Sequence, residues 1–145
     1  MREYMGLYRG KRVDNGEWVE GYYVRLFDGK GDVSHRIYSG YAETDCGEFY
    51  PDWFEVDPDT VGECALKDKN GKLVFEGDII KVSWYAPRRE PVYEYYEIVY
   101  NRSGFFTRKN GKIFGQVSNY IFPNVNMRCE IIGNIHDNPE LLERG

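Results

Sequence analysis

The side chains able to hold a soft metal ion are His35, Cys46, Cys64, Cys129 and His136, and no two of them stand at CxxC or HxxxH spacing. Zinc sites draw ligand pairs from one local turn because that geometry is readily preorganised. Scattered thiols of this kind read as small core residues, reduced and without a disulfide partner. Calcium has a closer match in "DPDTVGECALKD", Asp57 to Asp68, with acids at positions one, three and twelve and Gly62 at six. Val61 at position five has no side-chain oxygen, Asp68 is too short for the bidentate twelfth ligand, and no flanking helices are written around the window. It reads as a turn. Neither histidine sits beside a nucleophile in a recognisable arrangement, and no G-x-S-x-G, P-loop or G-x-G-x-x-G occurs. The expectation is no enzyme activity, no metal and no cofactor.

Carboxylates are abundant. From Ile37 to Leu66 there is no Lys or Arg, while Glu43, Asp45, Glu48, Asp52, Glu55, Asp57, Asp59 and Glu63 supply eight acids. Such a run reads as a solvated face before it reads as an acid–base pair, and the net charge of −5 disfavours a globally basic nucleic-acid binder. A local basic set exists at Arg88, Arg89, Arg102, Arg108, Lys109 and Lys112, and thirteen tyrosines and eight phenylalanines could act as stacking platforms. Tyr is equally a core and interface residue, so the aromatics read first as core or subunit contacts.

The elements that must position these groups are strands. Short runs of Val, Ile, Tyr, Phe and Trp, punctuated by Gly, Asn and Asp, recur along the chain, and helical periodicity over three turns is missing. Three Asn-Gly pairs, Asn15-Gly16, Asn70-Gly71 and Asn110-Gly111, predict type I′ hairpin turns, whose two central residues both need positive φ; at least the first two are read as hairpins. "DNGEWVEGYYV" at 14–24 echoes "KNGKLVFEGDIIKV" at 69–82, and both predict a strand, a break at Glu-Gly and a strand bent away. Alternation puts Ile80, Val82 and Trp84 on a core face, with Ile79, Lys81 and Ser83 opposite, and groups Tyr96, Ile98 and Tyr100. A hairpin is expected at Ser103-Gly104, a Pro-initiated turn after Asp57, and a last strand through Ile131 and Ile132. A short helical turn over 139–144 follows, N-capped by Asn138 with Pro139 at its first position. The fold expected is mainly β, α+β at most: a single compact domain over 1–145, built of bent hairpins and a coiled or barrel-like sheet. The chain start is charged and no apolar run would span a bilayer, which places the protein in the cytoplasm.

The blocks "YRGKRVDNGEWVEGYY", "VDPDTVGECALKDKNGKLVFEGDIIKV" and "EIIGNIHDNPELL" together resemble the YopX family of phage and prophage proteins, in the family's order. Cys64-Ala65 stands where that family commonly has Thr-Gly, and residues 85–127 carry no resemblance beyond their β pattern. The resemblance implies an uncharacterised, phage-encoded, β-rich protein of the bacterial host's cytoplasm, with self-assembly plausible and no catalytic residues to carry over. Signature positions expected to act structurally are Asn15, Gly16, Gly21, Asp68, Asn70, Gly71, Glu76, Gly77, Asp78, Gly133, Asn134, Asn138 and Pro139. Glu76 and Asp78 are expected to hydrogen-bond a bend. The functional expectation is an accessory protein acting by binding, with itself or a host or phage protein as partner. Single-stranded nucleic-acid binding through Tyr and Phe with the basic half is the alternative, and an enzyme without a recognisable motif comes third.

Overall fold

The computed structural model describes residues 6–43, 45–47, 49–84, 90, 92–102, 104–117 and 129–143. Its contacts cluster into two compact units, 1–64 and 65–145. Among the described residues the strands pair antiparallel and the helical content is two short 3-10 turns, so the mainly β expectation holds.

In the first unit β1 (Tyr8–Lys11), β2 (Trp18–Phe27), β3 (Val33–Glu43) and β4 (Phe49–Glu55) form a meander. A 3-10 turn, Pro58–Thr60, follows the expected start at Asp57, whose Oδ1 accepts from Asp59 N. The chain then enters β5 (Gly62–Lys67), whose first residues pair with β1 (Tyr8↔Glu63, Arg9↔Gly62). Directly opposed residues share a face of a sheet. Tyr8↔Gly21, Gly10↔Val19, Tyr23↔Ile37 and Ile37↔Phe54 therefore lie on one side. That side is the core face: Ile37 and Val56 are fully buried, and a Cβ on Gly10 would meet Val56, Val61 and Ile37 at 3.1–3.3 Å.

In the second unit β5 continues into a hairpin with β6 (Leu73–Phe75). Beyond it β7 (Asp78–Trp84), β8 (Val92–Asn101), β9 (Gly104–Lys109), β10 (Lys112–Gln116) and β11 (Cys129–Asn134) make a sheet of order β10-β9-β8-β7-β11. Ile80, Val82, Ile98 and Cys129 pack with Ala65, Leu66 and Val74, with Tyr96 and Phe105 against them. Ile80 and Val82 thus lie on the core face, as alternation predicts; the side chain of Trp84 lies outside the described residues. Ile79 on the other face is also fully buried. The C-terminal 3-10 turn, Pro139–Glu143, packs against β8, and Gly133, opposite Ile79, faces its Leu141, so β7 is covered on both sides and reads as a continuous apolar pair rather than a clean alternation. Of the residues expected in that turn, Arg144 lies outside the described set.

The Asn-Gly turns divide by loop length. Asn110-Gly111 joins β9 to β10 with both residues at positive φ (+52° and +76°) and Lys109 facing Lys112, the two-residue geometry expected of all three. At the other two sites only the glycine has positive φ, which corrects the type I′ expectation, although both do connect paired strands. There the loop is longer and side chains close it. Asn15 Oδ1 accepts from Glu17 N, and Asp68 Oδ1 accepts from Asn70 N and Lys72 N. A side-chain acceptor replaces the second left-handed residue.

The two Glu-Gly sites also part company. Glu76-Gly77 is the break: β6 ends and β7 starts, Asp78 Oδ2 accepts from Phe75 N across the bend, and Gly77 has φ +90°. Glu20-Gly21 is no break, because β2 runs unbroken from Trp18 to Phe27. A Cβ on Gly21 would stand 2.8 Å from the carbonyl carbon of Tyr38 and closer still to its oxygen, so the missing side chain admits the backbone of β3.

Candidate functional site

The side of the first-unit meander opposite its core is exposed and aromatic. The pairs Lys11↔Trp18, Arg9↔Glu20, Tyr22↔Tyr38, Val24↔Arg36, Tyr38↔Trp53 and Arg36↔Glu55 place these residues on one surface across four strands. Tyr22 is 64% exposed and Trp53 41%. The cations of this surface lie on rings. The Arg9 guanidinium carbon is 4.5 Å and Lys11 Nζ 5.3 Å from the Trp18 centroid, and the Arg36 guanidinium carbon is 3.7 Å from that of Trp53. Tyr38 and Trp53 meet at 6.5 Å in a tilted arrangement, and Arg36 Nε also donates to Ser34 Oγ. A cation held over a ring contributes about 0.5–1 kcal/mol at such exposed sites and fixes the ring's orientation.

A recess of about 430 Å³ opens on this surface between β2 and β3, lined by Glu20, Tyr22, Tyr38 and Gly40 over a floor at Gly21, with Leu7 at its side. One backbone feature shapes it. The register of β3 against β4 shifts between Tyr38 and Gly40, a bulge that leaves Ser39 as the extra residue. The recess combines π-faces with one carboxylate.

The core side holds a second polar group. The Tyr23 hydroxyl and His35 Nδ1 are hydrogen-bonded, with their rings stacked at 6.0 Å and Tyr8 5.7 Å from Tyr23. Burial pushes the Tyr23 hydroxyl pKa up, and Arg25 partly offsets it.

In the second unit the signature residues form a backbone-fastening system. Asp68 is buried, with Oδ1 on the β5–β6 turn and Oδ2 accepting from Ile131 N of β11. Gly77 N donates to Ile98 O, and its carbonyl accepts from Ile135 N. Asn134 Oδ1 accepts from His136 N and Asp137 N. Asn138 Oδ1 accepts from Asn134 N at 3.4 Å and its carbonyl accepts from Leu141 N, so its side chain reaches back to β11 as Pro139 opens the 3-10 turn. Gly133 lies where a Cβ would stand 2.7 Å from Asn138 Oδ1 and from Leu141 Cδ1. The middle and final signature blocks, far apart in sequence, are thus brought together around β11, while Asn15, Gly16 and Gly21 belong to the first unit. Glu76 is half-buried beside the β6–β7 bend.

No group of three or more His, Cys, Asp or Glu able to hold a metal occurs among the described residues. Cys129 lies deep among Asp68, Asp78 and Glu130; burial first, then these charges, push its thiol up to about 12. Of the basic set, Arg108 forks onto Glu97 with contacts of 3.0–3.2 Å, and Lys109 lies 3.7 Å from Glu94. Arg102 and Lys112 are exposed, and Arg88 and Arg89 lie outside the described residues. No described helix is long and apolar enough to cross a membrane.

Of the recess, the sequence marked only Gly21, and that as a structural position. Trp18, Glu20 and Tyr22 at two-residue spacing carry the signal for one strand, but only register adds Tyr38, Arg36 and Trp53.

No curated protein matches the chain. Among solved structures, the crystal structure of protein EF1440 from Enterococcus faecalis is similar, at 27% identity and TM-score 0.54, covering 93% of this chain and 96% of that one. Residues 7–143 match the family described as YopX protein, and with nearly the whole chain matched the protein belongs to the YopX family.

Proposed function

We propose that this protein is a phage or prophage accessory protein of the bacterial host's cytoplasm that acts by binding another protein, or a second copy of itself, and catalyses no reaction. One observation carries this reading: the first-unit surface presents Tyr22, Tyr38 and Trp53 in register across adjacent strands, with their neighbours held in place by Arg9, Lys11 and Arg36. Rigid, exposed aromatic side chains with a polar rim are the make-up of interface hot spots, because they bury much area for little lost rotamer freedom.

The test compares wild type with the double variant Tyr22→Ser, Trp53→Ser. Light scattering across the micromolar range gives the oligomeric state, and affinity capture from infected host cells gives the co-purifying species. The expected result is that the variant, still folded by circular dichroism, loses self-association or a protein partner. Wild type and variant with the same mass and the same co-purifying proteins would overturn the reading.

A further inference from the structure

We infer that the recess between β2 and β3 receives a lysine or arginine side chain from a basic segment of the partner protein; the inference rests on the binding reading above and names the chemistry of its contact. The surface repeats one arrangement. Trp18 carries Arg9 and Lys11, and Trp53 carries Arg36. Tyr22 is the most exposed ring of this surface, and among the described residues no cation of the chain lies over it.

Beside it stands Glu20, whose carboxylate makes neither a hydrogen bond nor an ion pair among the described residues. Its neighbour across the strand pair, Arg9, is turned onto Trp18. A carboxylate lining the same recess as the rings of Tyr22 and Tyr38 is a seat for a cation: the rings attract it by their quadrupoles and the carboxylate by its charge. The volume, about 430 Å³, admits a long side chain with its methylene stem against Leu7.

Charge at larger range agrees. Residues 1–64 hold 14 acids against 7 Lys and Arg, a field that draws a basic partner and repels phosphate. The cations of the surface that would otherwise meet a nucleic-acid backbone are already spread over rings.

The experiment uses the full chain and three fluorescein-labelled probes, octalysine, octaglutamate and octathymidylate, in anisotropy titrations at low and moderate salt. Wild type should bind octalysine, less tightly as salt rises, and bind the two anionic probes more weakly. Glu20→Gln and Tyr22→Leu should each weaken octalysine by about fivefold, the equivalent of one exposed ring–cation or ion-pair contact. Tyr22→Phe should keep the affinity, since it keeps the π-face. Glu55→Gln, on the same surface outside the recess, should stay within about twofold. Both Glu20 and Tyr22 are exposed, so these variants fold.

Equal losses in Glu20→Gln and Glu55→Gln would reduce the effect to general acidity and overturn the site. Preference for octathymidylate, lost in Tyr22→Leu, would overturn it in favour of nucleic acid. Absence of octalysine binding at low salt would also overturn it. If that failure comes while Tyr22→Ser, Trp53→Ser still abolishes partner capture, the binding reading stands and the cation inference alone falls.

Discussion

Replacing Asp68 by Asn removes one charge and exchanges one oxygen for an NH₂, and the structure shows why that small change should be costly. The carboxylate is buried, with 4% of its residue surface exposed, and it accepts three backbone N–H groups. Oδ1 takes Asn70 and Lys72 at 2.9 Å each, and Oδ2 takes Ile131 at 3.2 Å. An amide has one acceptor atom. If its oxygen stays on the turn, its NH₂ faces the Ile131 N–H, donor against donor; flipped, it faces two donors instead. An unsatisfied buried N–H costs about 1–3 kcal/mol, and exchanging a charged acceptor for a neutral one weakens each remaining bond by about 1 kcal/mol. The expected loss is therefore at least about 3 kcal/mol for Asp68→Asn, and Asp68→Ala should cost no less. At a urea slope of about 1.5 kcal/mol/M this moves the unfolding midpoint down by about 2 M. Circular dichroism in urea measures that shift, and hydrogen exchange at the Ile131 amide reports the site directly, with protection falling in the variant. A midpoint for Asp68→Asn within about 0.3 M of wild type, with Ile131 still protected, would refute the argument that this carboxylate fastens β11 to the β5–β6 turn.

Gly21→Ala should destabilise the first unit by about 2–3 kcal/mol, because its Cβ runs into the Tyr38 carbonyl and β3 must move; a thermal midpoint unchanged from wild type would contradict this. Gly10→Ala, whose new contacts are side-chain atoms at 3.1–3.3 Å, should cost less than Gly21→Ala in the same scan. The Cys129 thiol, pushed up to about 12 by burial, stays protonated in the native state, so native protein treated with a thiol reagent near pH 8 should label exposed Cys46 well before Cys129. The sign of its pH effect follows from the raised value: the contribution to stability is full below the unfolded thiol's pKa of about 8.5 and is lost as pH climbs toward 12, which base titration of Cys129→Val against wild type will measure. Arg108→Ala leaves the buried Glu97 carboxylate without its fork and should lower stability by about 1–3 kcal/mol, with Arg108→Gln intermediate in the same urea titration.

Turn and break chemistry was visible locally because it depends on one or two residues. Asn110-Gly111, the bend at Gly77 and the turn opened by Pro58 each follow from φ preferences that no distant residue alters. Two expectations failed where a neighbour intervened. Glu20-Gly21 reads like Glu76-Gly77, yet the first glycine makes room for a partner strand and the second turns the chain. The Asn15 and Asn70 turns kept one left-handed residue, not two, because an Asn or Asp oxygen took over the backbone acceptor's role. Ile79 does lie on the face opposite Ile80, as alternation predicts, and the C-terminal turn packing on that side buries it.

By itself, the sequence determined the β class, most turn positions and the family, since periodicity, glycine placement and three ordered motifs are local properties of the chain. Only the tertiary structure decided which strands are neighbours and in what register. Register is a long-range quantity: a slip of one residue would send Tyr38 and Trp53 to the core side and leave Tyr22 with other neighbours. The recess of Glu20, Tyr22 and Tyr38 comes from that register together with a bulge at Ser39, features of two strands that acquire a common meaning only when paired.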